Sequence, residues 1–202
     1  MRVRAVMPLF GDVEMIATSA KQLVIERIDF DTAEDANWQW HSQLPETAAL
    51  QAGNLSLAYG ATYENGLYGV AIWTRPIAGN RMRRDTEHLL ELRRLAIPDY
   101  APKYTATRML GQMARQIRRN YPQVCTLLSY QMTDVHTGTI YKAANWHIGY
   151  QQATHMTWNQ PGRPRPPDQS TAPKNRWEYN LRTCDCDTDR RTDPGETHHV
   201  AL

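Results

Sequence analysis

The order of apolar and polar positions along the chain predicts several β-strands. Residues 55–63 and 67–73 are rich in β-forming side chains. Glu64-Asn65-Gly66 between them is typical of a hairpin turn, because Asn-Gly tolerates positive φ. Residues 124–130 form a nearly continuous apolar run, as expected of a buried strand. Further strands are predicted at residues 21–30, 89–97, 148–158 and 177–181.

Three helices are predicted between these strands. The clearest covers residues 105–120, where apolar side chains recur at three- and four-residue spacing and arginines lie off the apolar stripe. We expect Thr105 or Thr107 to cap its start and Tyr121-Pro122 to end it. The shorter helices are predicted at residues 33–40, capped by Asp31-Thr32, and at residues 136–145. Together the elements predict an α/β fold with a mixed central sheet of six to seven strands flanked by helices.

Composition narrows the class of protein. The chain has 202 residues, of which 41% are hydrophobic and 22% charged, a globular balance that suits one domain. We expect that domain over residues 1–182, with 183–202 as a disordered tail because these residues are polar and aperiodic. The net charge of +2 does not require a nucleic-acid partner, and no apolar run approaches the ~20 residues of a membrane span. Three cysteines are too few for a disulfide framework, which favours a reducing cytoplasm.

The turn between residues 97 and 105 is a candidate anion site. The strand before it leads into the start of a helix, where backbone N–H groups and the helix dipole attract negative charge. Lys103 and Arg108 add positive charge, and Thr105 and Thr107 can donate hydroxyls. The alternative is an ordinary strand-to-helix turn with solvated basic residues.

Tyr141 is a second candidate, because it lies on the predicted helix after the next strand. A phenol within about 3 Å of a departing thiolate can protonate it. A tyrosine that packs its ring against the sheet is the plainer alternative. The two features together suggest group transfer from a phosphate-bearing donor.

These pieces resemble the GNAT acyltransferase superfamily over residues 57–146. The resemblance implies that the pantetheine arm of acetyl-CoA or a related acyl-CoA pairs with the strand ending at residue 97. It further implies that the pyrophosphate binds the loop of residues 103–108 and that Tyr141 protonates the thiol. The family loop usually contains glycine, whereas this loop has none, so the cofactor sits differently or its identity differs. The implied cofactor-binding residues are Leu95, Ala96, Ile97, Lys103, Tyr104, Thr105, Ala106, Thr107, Arg108 and Asn145.

A narrower resemblance is to the phage Mom branch of this superfamily, whose members modify adenine in viral DNA. Glu91-Leu-Arg-Arg-Leu-Ala96 resembles its Glu-Leu-x-Arg-Leu-Ala strand. His136-Thr-Gly-Thr-Ile-Tyr-Lys-Ala-Ala-Asn-Trp146 resembles its His-x-Gly-Gly-Ile-Tyr-x-Ala-x-Asn-Trp segment, and Trp40-His41-Ser42 with Leu44-Pro45 is similar to its histidine motif. The branch's Ser-x-Ala-Asp-Pro run is missing after Ser129. The resemblance implies a phage-encoded enzyme in the host cytoplasm that acts on an amine of a DNA base.

An acceptor site for such a base needs aromatic platforms, phosphate contacts and a catalytic base. Histidine titrates near neutrality and suits the role of base, although a lone histidine is more often structural. Two arginine-bearing loops are candidates for phosphate contacts; the alternative is that both are ordinary solvated surface loops. The candidate bases are Glu91, His41 and His136; the substrate-binding candidates are Trp38, Trp40, Tyr59, Arg94 and Ser129; the loop arginines are Arg81, Arg83, Arg84, Arg163 and Arg165.

Two other functions stay open. One is an acetyl-CoA-dependent acetyltransferase for a small-molecule amine. The other is a nucleic-acid-binding accessory protein that keeps the fold without the cofactor, which the glycine-free loop makes conceivable. We expect no metal site, because Cys184 and Cys186 with His198 and His199 match no closed zinc spacing. The sequence leaves the oligomeric state undetermined.

Overall fold

The computed structural model describes residues 16–41, 55–76, 86–151 and 173–183. Several sequence predictions fall outside these residues: both arginine loops, the chain after His41 in the N-terminal histidine motif, and the cysteines and histidines after residue 183. The predicted tail lies outside them as well, apart from its first residue.

A seven-stranded mixed sheet forms the centre of the protein. Its spatial order is β1-β2-β3-β4-β5-β7-β6, with β4 and β5 parallel and every other neighbouring pair antiparallel. The predicted mixed sheet is therefore confirmed. The strands are β1 (Val24–Arg27), β2 (Ser56–Tyr63), β3 (Gly66–Thr74), β4 (Leu89–Ala96), β5 (Thr126–Met132), β6 (His147–Gln151) and β7 (Lys174–Asn180).

Helices cover the two faces of this sheet. The helices are α1 (Phe30–Trp40), α2 (Thr105–Asn120) and α3 (Thr139–Ala143). The apolar stripe of α2 packs into the larger core, where the Trp73 indole N–H donates to the Met113 sulfur over 3.2 Å. On the other face, Ala33 and Ala36 of α1 pack into a smaller core with residues of β2, β3 and β4. Burial of these apolar faces holds the layers together.

The helix starts differ from the sequence prediction. Asp29 caps α1 in place of Asp31-Thr32, since its carboxylate accepts the Thr32 N–H over 2.7 Å. Tyr104 occupies the N-cap position of α2 and makes no side-chain cap bond. The Thr105 hydroxyl donates instead to the Pro102 carbonyl over 2.7 Å, so the predicted threonine cap is wrong.

The first predicted strand is also shorter than expected. Ala20–Gln22 form a 3-10 turn closed by a capping box with Ser19, and pairing to β2 begins only at Val24. Cys125, just before β5, is disulfide-bonded. In the described parts of the chain, no helix has the length and apolar character needed to cross a membrane.

Candidate active site

The parallel pair β4 and β5 separates into a fork. The register pairs Leu89 with Thr126 and ends at Leu92 opposite Ser129. Strand β4 continues to Ala96 and β5 to Met132. Beyond the last pair, each strand therefore presents backbone groups that the other strand does not bind. Such an edge can accept an extended chain as an additional strand.

A β-bulge at Arg93 accounts for the local change of direction. Consecutive residues of β3, Ile72 and Trp73, pair with Arg94 and Leu92, so Arg93 is the extra residue on β4. A bulge bends the strand that carries it and increases the local twist. Here it begins at the residue that follows the last β4–β5 pair.

Tyr141 and Ser129 meet at the closed end of the fork. Their hydroxyl oxygens are 2.8 Å apart, and both side chains are buried, Tyr141 being 8% exposed. Burial raises the pKa of the Tyr141 phenol, and the hydrogen bond with Ser129 opposes that shift. The hydroxyl thus lies in the protein interior at the fork. Its assignment as an acid stays a prediction, and it requires the donor sulfur to enter the fork as far as Ser129.

Aromatic rings fix the position of Tyr141. Its ring stacks on Trp177 of β7 with centroids 5.3 Å apart and an interplanar angle of 16°. Trp146 packs edge-on at 5.6 Å, and its backbone N–H donates to the Tyr141 carbonyl. These contacts restrict the phenol to one orientation, which is what a positioned proton donor needs.

Gln131 fixes the segment that leads into α3. Its side-chain oxygen accepts from the Trp177 indole N–H over 2.8 Å, and its side-chain nitrogen donates to the His136 carbonyl. Gly138, the N-cap of α3, has φ +72, and a Cβ there would approach Trp177 and Gln131 too closely. The short helix therefore begins where glycine permits both the backbone conformation and the packing.

Glu91 lies on the opposite face of β4 from Leu90 and Leu92, which pack in the larger core. The carboxylate is buried and accepts from the Arg93 guanidinium over 2.8 Å. Burial raises the pKa of Glu91 above its ordinary value of 4.5, although Arg93, Arg94 and Lys174 oppose that shift. A carboxylate with a raised pKa is suited to taking a proton near neutral pH.

His41 comes directly after α1 and is close to the same face. Burial lowers its pKa to about 4, helped by the charges of Arg94 and His136. Burial also lowers the pKa of Arg94 to about 10. His41 is therefore neutral and Arg94 charged at pH 7. His136 is exposed in the segment before α3. The charge of Arg94 thus acts on both Glu91 and His41, and the charge of His136 acts on His41.

The turn before α2 holds the cofactor-binding candidates. Tyr104 has φ +71, the left-handed conformation that glycine adopts readily, and its side chain is 77% exposed. Ala106 and Thr107 follow in the first helical turn, which contains no acidic residue. Two N–H groups of Arg108 donate to the Leu23 carbonyl, which leaves its remaining N–H groups for another acceptor. Lys103 is exposed.

The remaining candidates are distributed around this region. Leu95 and Ile97 pack against the larger core, Ala96 is buried in the smaller core, and Asn145 is exposed with φ +61. Trp38 is exposed, and Trp40 packs edge-on against Tyr100 at 6.3 Å. Tyr59 is fully buried in the core, so the prediction that it serves as an exposed stacking platform is wrong. No group of three or more potential metal ligands occurs within the described ranges.

Sequence reasoning missed the aromatic packing around Tyr141 and the role of Gln131. A glutamine inside an apolar strand was an available signal, because a buried amide must find hydrogen-bond partners. The partner Trp177 was not predictable, since β7 reaches β5 only through the non-local order of the sheet.

Solved structures with the same fold define the class of this protein. A Bacillus subtilis acetyltransferase in complex with CoA aligns with TM-score 0.55 and 12% identity, covering 78% of this chain and 98% of that one. A GNAT family acetyltransferase from Elizabethkingia anophelis with acetyl-CoA bound gives TM-score 0.55 and 12% identity, covering 79% and 98%. A Vibrio cholerae spermidine N-acetyltransferase in complex with CoA and spermine gives 0.54 and 9%, covering 80% and 96%. The predicted GNAT fold is confirmed.

The sequence itself gives the narrower assignment. The Mom protein family matches residues 22–183, which is most of the chain. The protein therefore belongs to the Mom protein family. Among curated proteins, no sequence relative matches it.

Proposed function

We propose that this protein is a GNAT-type acyltransferase that moves an acyl or related group from a CoA-type donor to an amine of a DNA base. The observation that carries the proposal is the β4–β5 fork, which has the Tyr141–Ser129 pair at its closed end and Glu91 on the other face of β4. Membership of the Mom family supports a DNA base as acceptor. The CoA-bound structures with this fold support the donor.

The residues of the fork and the following turn fit a CoA-type donor. The β5-facing edge of β4 between Arg93 and Ala96 can bind the amide groups of an extended pantetheine arm. The N–H groups of Ala106 and Thr107 are among those that an α-helix leaves without internal acceptors, and no side-chain cap covers this helix start. Tyr104 supplies a left-handed residue directly before this helix start, within a loop that contains no glycine.

Proton acceptance and proton donation are assigned to opposite faces of the fork. When bound, an acyl-CoA thioester supplies the activated acyl group. Glu91 takes the proton that the amine loses as its nitrogen bonds to the acyl carbon. Tyr141, with Ser129 as its hydrogen-bond partner, places a proton on the sulfur that leaves. Arg94 remains charged beside the acceptor and orients it.

Donor binding and base modification are tested separately. Thermal unfolding of the purified protein is followed with and without acetyl-CoA, and binding to the native state raises the melting temperature by mass action. Mass analysis of nucleosides from DNA of cells that express the protein then tests the acceptor. Arg108→Gln serves as a donor-side variant, in which a smaller rise in melting temperature is expected. Unaltered nucleosides together with robust acetylation of free amines would reject the DNA acceptor.

A second candidate is a cofactor-free accessory protein that binds nucleic acid. The observation that favours it is the absence of glycine from the loop of residues 103–108, where the family usually has glycine. It predicts no change of melting temperature with acetyl-CoA and retention of the protein on DNA. An acetyltransferase for a small amine instead predicts both a donor response and activity on free amines.

A further inference from the structure

Tyr130, Arg176 and Tyr150 form a row across three adjacent strands. Tyr130 of β5 pairs with Arg176 of β7, and Tyr150 of β6 pairs with the same arginine. Residues directly opposite each other in antiparallel strands project from the same face. Neighbouring strands are about 4.8 Å apart, so the tyrosine Cα atoms lie about 10 Å apart with the arginine between them. Each tyrosine is 43% exposed.

The arginine of this row is held in place. Its Nε and Nη2 atoms both lie 2.7 Å from the Glu178 Oε1 atom, and its guanidinium carbon lies 5.9 Å from the centroid of the Tyr150 ring. Gly149 is the bulge residue of β6, and a Cβ there would collide with the Glu178 carboxylate. Glycine at 149 thus allows the carboxylate to lie against β6 and to hold Arg176 beside the Tyr150 ring.

The row adjoins the acceptor side of the fork. Tyr130 follows Ser129, the last β5 residue paired to β4, and alternation places its side chain on the opposite face from Ser129. That is the face of Glu91. Burial raises the pKa of the Tyr130 phenol, and the Glu91 carboxylate adds to the rise, which places the two groups near each other.

We propose that the Tyr130–Arg176–Tyr150 row is a stacking platform for unpaired nucleobases, which holds the DNA strand beside the base whose amine faces Glu91. Exposed tyrosines on an open sheet face bind base rings irrespective of sequence, and an arginine plane between them extends the stacking surface. The charge of Arg176 is already neutralised by Glu178, so the row recognises ring planes and not phosphates. This inference rests on the proposed DNA acceptor.

The test compares a fluorescein-labelled single-stranded dA12 oligonucleotide with an abasic strand of the same length. Fluorescence anisotropy with the full chain gives both Kd values. We expect tighter binding of dA12, and Tyr130→Ala or Tyr150→Ala should raise its Kd by about 5- to 100-fold while the abasic Kd stays constant. Tyr130→Trp and Tyr150→Trp should retain the binding of dA12. Tyr63→Ala on β2, in the other half of the sheet, is the control and should leave both Kd values unchanged.

Two results would overturn the platform: equal affinity of the wild-type protein for both strands, or unchanged affinity for dA12 in both alanine variants. A Tyr130→Leu variant, similar in bulk, guards against an effect of lost packing, and it should weaken dA12 binding as the alanine variant does. Nucleoside mass analysis separates this inference from the proposed function. If modified bases are found but dA12 binding does not depend on the tyrosines, only the platform is rejected. If dA12 binding depends on the tyrosines but no modified bases are found, only the enzymatic function is rejected.

Discussion

Single side chains at the fork have separate tasks that follow from their surroundings. Tyr141 is buried between two tryptophan rings and meets Ser129, so its hydroxyl has one defined direction. Glu91 is buried on the other face, where its carboxylate accepts from Arg93 and burial raises its pKa. The proton donor and the proton acceptor are therefore held on opposite sides of the same pair of strands.

Loss of the Tyr141 hydroxyl should affect turnover and leave donor binding nearly intact. Tyr141→Phe keeps the ring between Trp146 and Trp177 but removes the proton donor. General acid catalysis typically contributes 10²- to 10⁴-fold, so we expect kcat to fall by about that factor with little change in donor affinity. Steady-state kinetics and thermal shifts with acetyl-CoA measure the two quantities. A wild-type rate in this variant would refute the assigned role.

At position 104, a glycine variant should be more stable than an alanine variant. A residue other than glycine in the left-handed region costs about 1–2 kcal/mol, and the exposed Tyr104 side chain offers little packing in return. We therefore expect Tyr104→Gly to have a free energy of unfolding about 1 kcal/mol higher than Tyr104→Ala. Urea denaturation of both variants checks this. Equal stability would show that the turn changes its conformation when the residue is replaced.

Elements are joined at the fork by contacts that are distant in the sequence. Gln131 of β5 connects Trp177 of β7 to the segment before α3 through two hydrogen bonds. Because α3 is short, its position depends on these contacts and on Gly138 more than on its own helix propensity. The two Gln131 hydrogen bonds that hold α3 therefore also orient Tyr141.

Replacement of Gln131 by leucine should remove both hydrogen bonds and destabilise the protein. The indole N–H of Trp177 and the carbonyl of His136 would lose their partners inside the protein. A buried polar group without a partner costs about 1–3 kcal/mol, so we expect Gln131→Leu to lower the free energy of unfolding by at least that amount. Urea denaturation measures the change. Gln151→Leu at the exposed end of β6 is the control. An equal loss of unfolding free energy in the two variants would argue against a stabilising role of the Gln131 hydrogen bonds.

The sequence predicted elements where the signal is local. The bounds of α2 were predicted correctly, because an apolar stripe and Tyr121-Pro122 mark them. The bulge at Arg93 and the order β5-β7-β6 were not predicted, since both depend on which strands meet in space. The buried position of Tyr59 was missed because β2 is covered on both faces, with Tyr59 in the larger core and Ala58 in the smaller one.

Across the whole molecule, the single parallel pair in the described sheet joins two halves with different surfaces. The half of β1 to β4 carries α1 on one face. Side chains of α2 hold its edge strand: Arg108 donates to the Leu23 carbonyl just before β1, and Gln116 donates to the Ile25 carbonyl of β1. The half of β5, β7 and β6 presents the row of Tyr130, Arg176 and Tyr150. The fork lies where the two halves meet, so the donor and the acceptor reach it from different faces.

The half-buried His41 should make global stability depend on pH. Its pKa is lowered to about 4 in the folded protein by burial and by the charges of Arg94 and His136, against 6.5 for the ordinary side chain. Its contribution to stability is therefore fully present above pH 6.5 and is lost as the pH falls towards 4, because the unfolded chain binds the proton first. With allowance for solvent screening, we expect about 1–2 kcal/mol over this window. Urea denaturation between pH 7 and 4 should show a smaller decline in His41→Gln than in the wild type, whereas His147→Gln should retain the full decline; parallel profiles for His41→Gln and the wild type would contradict the shift.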